Sequence, residues 1–253
     1  MRILCTNDDG YDAPGLAVLE EIAAHFSDDV WVVAPSEEQS GAGHSLTLNH
    51  PLRLRRHAEK RWSVTGTPTD SVMMALAKIM KDSPPDLILS GVNRGANLAE
   101  DVTYSGTVSA AMEGALAGVR SIALSQVLDR KRDDVPPFAA ARAWGERVIR
   151  PLLDLALPAR TLVNVNFPPL PADAVQGVRV AGQGLRDYGR LRIVTNRDPR
   201  GFEYHWFGLG PTISTPEHAT DLEAIADDMI AVTPLHLDLT HRKSLTMLAG
   251  AYS

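Results

Sequence analysis

Three short apolar runs in the first 95 residues each stop abruptly at a polar loop that contains glycine. The runs cover residues 3–5, 30–34 and 86–90, and segments with apolar residues at helical spacing lie between them. A short apolar run bounded by turn-forming residues is typical of a strand buried in a parallel sheet. The first two runs and the helix between them have the size of a βαβ unit. The sequence therefore predicts an α/β fold with a mostly parallel sheet.

The polar loops after these runs are predicted to meet at one edge of the sheet, where ligands bind in open α/β folds. The first loop carries Asp8 and Asp9, and the others cover residues 36–45 and 91–97. Two adjacent carboxylates repel each other, so keeping both ionised favours a cation between them. Asp and Asn oxygens with no neighbouring His or Cys suit a hard divalent ion such as Mg²⁺ or Mn²⁺. The loops therefore indicate a metal site.

Each of these loops has an ordinary structural interpretation as well. Asn, Asp and Gly are common turn residues, and a loop serine such as Ser40 is usually a turn former. An isolated histidine such as His44 is more often structural than catalytic. Ser105-Gly106-Thr107 precedes a helix rich in small residues, where free backbone N–H groups favour phosphate, but the triplet also fits an N-cap. The shared sheet edge is the reason to treat these residues as one candidate site.

The remaining segments predict the outline of the fold. Helices are expected at 68–80, 108–118, 138–155 and 221–228, strands at 120–125, 161–167 and 229–233, and a hairpin or excursion from the main sheet over 46–65. Asn164 and Asn166 alternate with valines and are interpreted as structural. After about residue 175, short strand-like runs at 178–181, 191–195 and 202–207 predict antiparallel hairpins with a turn at 197–201. Apolar residues in the tail from Pro234 need a partner surface.

Composition limits the class of protein. The 253 residues fit a single domain, with a core over about 1–175 and a hairpin arm and tail over about 176–253. The formal net charge of -6 argues against binding to a nucleic-acid polymer. The one cysteine, Cys5, excludes an intrachain disulfide and is expected in the core. With no apolar N-terminal segment and no run of 18 apolar residues, a cytoplasmic protein without a membrane partner is expected.

Several functional classes are weighed against a metal-dependent enzyme. The chain has no GxGxxG motif after its first strand and no GxxxxGK[ST] loop, which argues against a dinucleotide dehydrogenase and a P-loop kinase. An oxidoreductase or transferase with a nucleotide cofactor and a non-catalytic nucleotide-binding regulator remain alternatives. A glycosidase pair formed by Asp8 and Asp9 is disfavoured, because sequence neighbours seldom reach the required separation of roughly 5–10 Å.

The motifs of this chain resemble those of the SurE family, the survival-protein-E metal-dependent nucleotidases that are also described as acid phosphatases. TNDDGYDAPG, VVAPSEEQSGAGHS, TGTPTDSV, LILSGVNRGAN and YSGTVSAAMEGALAG occur in the family's order and spacing, and NVNFPP, DPRGFEYHWFG and VTPL look similar. The resemblance implies a Rossmann-like three-layer α/β/α core with a C-terminal hairpin extension used to form homodimers or homotetramers. It also implies hydrolysis of nucleoside 5′- and 3′-monophosphates and, in some members, of short polyphosphate.

The resemblance also implies roles for individual residues. One divalent metal ion per subunit would be bound by Asp8, Asp9, Ser40 and Asn93, and the substrate phosphate would be surrounded by Asn97, Ser105, Gly106 and Thr107. Cys5, His205 and 229–231 depart from the family pattern, but none belongs to the metal set.

The resulting hypothesis is metal-assisted hydrolysis of a phosphate monoester. The ion lowers the pKa of a bound water and neutralises charge on the phosphoryl group. Asp8 or Asp9 orients the water, and His44 protonates the leaving oxygen. A carboxylate nucleophile stays open as an alternative to water.

Overall fold

The structure is a computed structural model that describes residues 1–128, 135–185, 191–209 and 219–252. Its strands are β1 (Ile3–Thr6), β2 (Val30–Pro35), β3 (Leu54–Ala58), β4 (Arg61–Val64), β5 (Leu87–Arg94), β6 (Arg120–Gln126), β7 (Thr161–Phe167), β8 (Val178–Val180), β9 (Leu191–Arg197), β10 (Glu203–Leu209) and β11 (Ile230–His236). Its helices are α1 (Pro14–Ala24), α2 (Pro68–Met74), α3 (Gly106–Leu116), α4 (Ala139–Leu153), α5 (Asp221–Ala226) and α6 (Arg242–Ala251). A π-helical turn (Ala75–Ile79) extends α2, and a 3-10 helix (Ala99–Thr103) precedes α3.

A nine-stranded sheet forms the centre of the molecule, with the order β3-β4-β2-β1-β5-β6-β7-β11-β8. The strands from β4 to β7 in this order are parallel, and β11 is antiparallel to β7. Strand β1 is buried throughout because side chains from both of its faces enter a core. Ile3 and Cys5 pack with α1 and α4, whereas Leu4 packs with α2 and α3 on the other face. This arrangement confirms the predicted three-layer α/β fold.

The first strand also confirms the prediction made for Cys5. The side chain is completely buried in the apolar layer, and this burial raises the pKa of the thiol. No helix in the described ranges is long and apolar enough to cross a bilayer.

Two sequence-based expectations differ from the structure, and one helix was not predicted. The 46–65 segment forms the predicted hairpin, β3–β4, but it is not an excursion, because β4 pairs with β2 and adds the hairpin to the main sheet. Strand β8 is not part of an antiparallel hairpin, since it is only three residues long and pairs in parallel with β11. The tail contains α6, which the sequence analysis did not predict and which has no buried residue.

Strand β5 runs past its predicted end at Ser90 as far as Arg94. A register shift against β6 between Ser90 and Asn93 makes this continuation possible. Gly91 has a φ of 138°, and a Cβ there would lie 2.2 Å from the backbone oxygen of Leu124. Only glycine fits this approach, so the irregularity is specified by the sequence and carries Asn93 to the sheet edge. The predicted β9–β10 hairpin is confirmed, and the domain boundary near residue 175 stays a prediction.

Candidate active site at the carboxyl edge of the sheet

Three loops converge on Asp8 and Asp9. The backbone oxygen of Asp8 accepts a hydrogen bond from the Gln39 N–H at 2.8 Å. The Oδ2 of Asp9 accepts one from the Arg94 N–H at 3.1 Å, and the Oδ1 of Asp8 accepts one from the Thr107 hydroxyl at 2.5 Å. The loops after β1, β2 and β5 and the start of α3 therefore share one site.

These contacts bring the candidate metal ligands to the same place. Ser40 directly follows the Gln39 contact, and Asn93 directly precedes the Arg94 contact. The Ser40 hydroxyl is exposed and donates to Glu38 Oε1 at 2.9 Å. Asn93 is half-buried, and its Nδ2 donates to the Gly95 carbonyl at 3.1 Å. This leaves the amide oxygen of Asn93 as the atom available to a cation.

Gly106 permits the close approach of α3 to the first loop. A Cβ at this position would lie 2.7 Å from the Cβ of Asp8 and 3.0 Å from its Oδ2. Any side chain would push the helix away from the carboxylate. The family resemblance implies a place for Gly106 around the substrate phosphate, and the structure gives it this steric role beside Asp8 as well.

Burial makes both carboxylates costly to ionise. Asp8 is only 4% exposed, and its pKa is raised to about 6, chiefly by burial; the Thr107 hydrogen bond opposes this rise and the charge of Asp9 adds to it. Burial also raises the pKa of Asp9, against the hydrogen bond from the Arg94 backbone, and the charge of Glu38 adds to the rise. A divalent cation between the carboxylates would remove this cost, since an opposite charge favours the ionised form.

The donors around this pair fit a hard cation. Within the described ranges no group of three or more His, Cys, Asp or Glu side chains is arranged to hold a metal. The candidate set instead combines two carboxylates with a hydroxyl and an amide, and all four donors are oxygens. The neighbouring Asn7 Oδ1 is buried and has no hydrogen-bond partner among the described residues. An all-oxygen set with an unsatisfied buried acceptor beside it suits Mg²⁺ or Mn²⁺.

Asn97 is fixed by side chains from two strands. Its Nδ2 donates to Ser125 Oγ at 2.8 Å, and its backbone N–H donates to Asn166 Oδ1 at 2.8 Å. Its backbone oxygen accepts from the side chains of Asn164 at 2.8 Å and Asn166 at 3.0 Å. The structural role expected for Asn164 and Asn166 is to hold this loop. Their polar pattern inside a buried strand was the available signal, but the sequence did not identify Asn97 as the partner.

The hydroxyl groups of Ser105 and Thr107 have different hydrogen-bond partners. Ser105 is the N-cap of α3, and its Oγ accepts from the Val108 N–H at 3.0 Å. This leaves the Ser105 hydroxyl proton free to be donated. Thr107 is completely buried, and its hydroxyl is committed to Asp8.

His44 lies beside α3 and does not hydrogen-bond to either carboxylate in the described chain. Its Nε2 is 2.6 Å from Glu113 Oε1. Its loop is held in place by the Gly43 N–H, which donates to the Tyr104 carbonyl at 3.0 Å. Sequence reasoning selected His44 and missed Glu113, because nothing in a small-residue helix marked that carboxylate as a partner.

Comparisons with known proteins agree with this geometry. The family model described as "Survival protein SurE" matches residues 3–190. Proteins named 5′-nucleotidase SurE from Erythrobacter litoralis and Rhizorhabdus wittichii are 61% and 62% identical to the chain, over 100% of both sequences in each case. The crystal structure of a SurE protein from Aquifex aeolicus superposes with a TM-score of 0.86 at 37% identity, covering 100% of both chains.

Proposed function

Because the chain belongs to the SurE family, we propose that it is a 5′-nucleotidase that uses a divalent metal ion to convert nucleoside monophosphates to nucleoside and phosphate. Full-length identity of 61% and 62% to proteins named 5′-nucleotidase SurE supports this assignment. The observation that carries it is the hydrogen bond from Thr107 to Asp8, because it joins a cation site to the N-terminus of α3. Nucleoside 3′-monophosphates and short polyphosphate are the further substrates of the proposal, and its location is the cytoplasm.

The proposal assigns one metal ion per subunit, Mg²⁺ or Mn²⁺, to Asp8, Asp9, Ser40 and Asn93. A bound ion of this kind lowers the pKa of water and neutralises phosphoryl charge. The protein supplies the geometry. Thr107 fixes the rotation of the Asp8 carboxylate by occupying Oδ1, which leaves Oδ2 for the ion. Asp9 is less buried than Asp8 and is placed to orient a water molecule.

The substrate phosphate is assigned to the N-terminus of α3. The first N–H groups of a helix have no partner within the helix, and its dipole favours an anion there. The backbone of Gly106 and Thr107 and the hydroxyl of Ser105 supply donors in this proposal, and Asn97 borders them. His44 protonates the leaving oxygen, with Glu113 holding its ring through their 2.6 Å contact.

The proposal includes a homodimer or homotetramer built through the β9–β10 hairpin. Ile193, Trp206 and Phe207 on this hairpin are 54%, 64% and 79% exposed. Exposed apolar side chains of this size on one short hairpin are typical of a protein interface. A second copy of the chain is the proposed partner.

Phosphate release tests the reaction. Metal-stripped protein is mixed with 5′-AMP or 3′-AMP, with and without added Mn²⁺ or Mg²⁺, and inorganic phosphate is measured. Release that requires metal and is abolished by EDTA is expected, and the ratio of the two rates gives the positional preference. Binding of AMP without release under any ion would contradict the proposal and favour the nucleotide-binding regulator.

A further inference from the structure

Asp221 is a buried carboxylate that the proposed chemistry does not use. It is 0% exposed and lies at the first position of α5, and it hydrogen-bonds to Ala99 and Gly184 rather than to the candidate metal ligands. We propose that Asp221 is a positioning residue that couples the C-terminal part of the chain to the substrate side of the site. The inference rests on the nucleotidase function proposed above, and it concerns the loop that leads into Ser105.

The carboxylate of Asp221 bridges two segments that are distant in sequence. Its Oδ2 accepts a hydrogen bond from the Ala99 N–H at 2.8 Å, and its Oδ1 accepts one from the Gly184 N–H at 2.9 Å. Both bonds are buried, so neither N–H would find water if the carboxylate were lost. Gly184 is needed for this approach, because a Cβ there would lie 2.9 Å from the same Oδ1.

Ala99 needs this support because of its backbone conformation. It has a φ of 54°, in the left-handed region that non-glycine residues seldom occupy. Its carbonyl is held from the same side, since Gln183 Nε2 donates to it at 3.0 Å. Leu98 packs with Ala181 and Leu222 in a separate apolar cluster. The C-terminal part of the chain therefore holds both polar groups of the Ala99 backbone.

The position of Ala99 determines where the phosphate donors lie. Ala99 begins the 3-10 helix, which ends at Thr103, and only Tyr104 separates this helix from Ser105 and α3. Asn97, two residues earlier, is fixed separately by Ser125 and Asn166. Asp221 therefore fixes the direction in which the chain leaves Ala99 toward Ser105, which is a proposed donor to the substrate phosphate. Asp8 and Asp9 lie on the loop after β1 and are held by other contacts. Substitution of Asp221 should therefore change their positions less than that of Ser105.

Substitution of Asp221 tests this role against a purely structural one. We expect Asp221→Asn to raise the KM for 5′-AMP by about tenfold, because an amide cannot accept from both N–H groups. The dissociation constant for Mn²⁺, measured by calorimetry, should change by less than about twofold. Asp221→Ala should have a larger effect on KM than Asp221→Asn, which retains one acceptor oxygen.

Amide hydrogen exchange gives a readout that does not depend on catalysis. Peptides that cover residues 96–107 should exchange faster in Asp221→Asn, while peptides from β1 stay unchanged. Asp227→Asn is the matched control, because Asp227 is the exposed C-cap of the same helix and pairs with Arg179. Its KM and exchange should equal those of the wild type.

If the Asp221 variants do not fold, Gln183→Ala tests whether the C-terminal part of the chain holds the Ala99 loop. Gln183 is exposed, and its removal leaves no unpaired buried charge, so the variant should fold and still exchange faster over 96–107. Unchanged exchange in Gln183→Ala, or an unchanged KM in folded Asp221→Asn, would overturn the inference. Failure of the wild type to release phosphate would contradict the proposed function, whereas the exchange result would still decide whether Asp221 positions this loop.

Discussion

The carboxyl edge of the sheet buries polar groups, whereas the C-terminal extension exposes apolar side chains. At the edge, polar groups are buried without enough compensation: Asp8 is 4% exposed, and the Oδ1 of the fully buried Asn7 has no hydrogen-bond partner in the described part of the chain. In the extension, apolar groups are exposed: Phe207 and Leu239 are 79% and 92% accessible. A buried charge is stabilised by a counter-ion, and an exposed apolar surface is stabilised by contact with another apolar surface. One region therefore indicates a ligand, and the other indicates a second polypeptide.

The two regions also differ in how they are held. Each loop at the edge is tied to a neighbouring loop by a hydrogen bond, as with Gln39 and Asp8 or Arg94 and Asp9. Among the strands that the structure describes, β9 and β10 pair only with each other, and α6 has no buried residue. Isolated two-stranded hairpins are marginally stable in water. Changes at the edge should therefore affect chemistry, and changes in the extension should affect assembly.

The largest effect on activity is expected from Asp9→Asn. Removing a charged group that acts on the phosphoryl centre should lower kcat/KM by about a thousandfold. The variant should fold as well as the wild type, because burial raises the pKa of Asp9 and an amide avoids that cost. Asp12→Asn is the control, since Asp12 is exposed three residues further along the chain. Turnover of Asp9→Asn close to that of the wild type would eliminate Asp9 as a metal ligand.

A second test measures the cost of the buried charge in metal-free protein. The pKa of Asp8 is raised from 3.8 to about 6, so the folded state holds this proton more tightly than the unfolded state. The contribution of Asp8 to the free energy of unfolding should therefore fall as pH rises from 4 to 6, by about 2 kcal/mol. Urea titrations at several pH values, with EDTA, would measure it.

Asp8→Asn isolates that contribution from those of the other carboxylates. The variant cannot titrate at this position, so the difference in stability between it and the wild type should change with pH in the stated direction. If the free energies of unfolding of the two proteins changed in parallel between pH 4 and pH 6, the pKa of Asp8 would not be raised in the folded state.

A smaller effect is expected from Thr107→Val, which keeps the shape of the side chain and removes its hydroxyl. Losing a group that orients a metal ligand should weaken Mn²⁺ binding by about 10–100-fold. Thr107→Ser keeps the hydroxyl that donates to Asp8 and should bind Mn²⁺ nearly as well as the wild type. Calorimetry on metal-stripped proteins would measure both constants. Equal Mn²⁺ affinities of Thr107→Val and Thr107→Ser would show that the Thr107 hydroxyl does not orient a metal ligand.

The smallest effect on activity is expected in the extension. Trp206→Lys together with Phe207→Lys should lower the oligomeric mass seen by light scattering, because both exposed aromatic side chains become charged. Activity per subunit should change by less than about threefold, since less than about 0.7 kcal/mol would be involved. Trp206→Phe keeps an apolar ring and should leave the mass unchanged. An unaltered mass in the double variant would show that the hairpin is not the assembly surface.

The sequence predicted the edge better than the extension, and the reason is physical. Apolar runs that end in Asn, Asp or Gly are local signals, so β1, β2 and the loops after them were predictable. The partner of β8 is set by pairing with a strand about 50 residues away, which no local pattern encodes. The same applies to Asp221, whose contact with Ala99 spans 122 positions. The candidate ligand residues were therefore selected from local sequence signals, whereas the residues that hold them in place were not predicted.

Phosphate release at increasing Mn²⁺ tests the central claim most directly. Metal-stripped wild type and Asp9→Asn are titrated with Mn²⁺ at saturating 5′-AMP, and the rate is recorded against the metal-to-protein ratio. A wild-type rate that rises from zero to a plateau at one ion per chain, with a flat response in Asp9→Asn, is the result that we predict. Release that persists in EDTA, or an equal plateau in both proteins, would contradict the assignment of this edge as a metal-dependent active site.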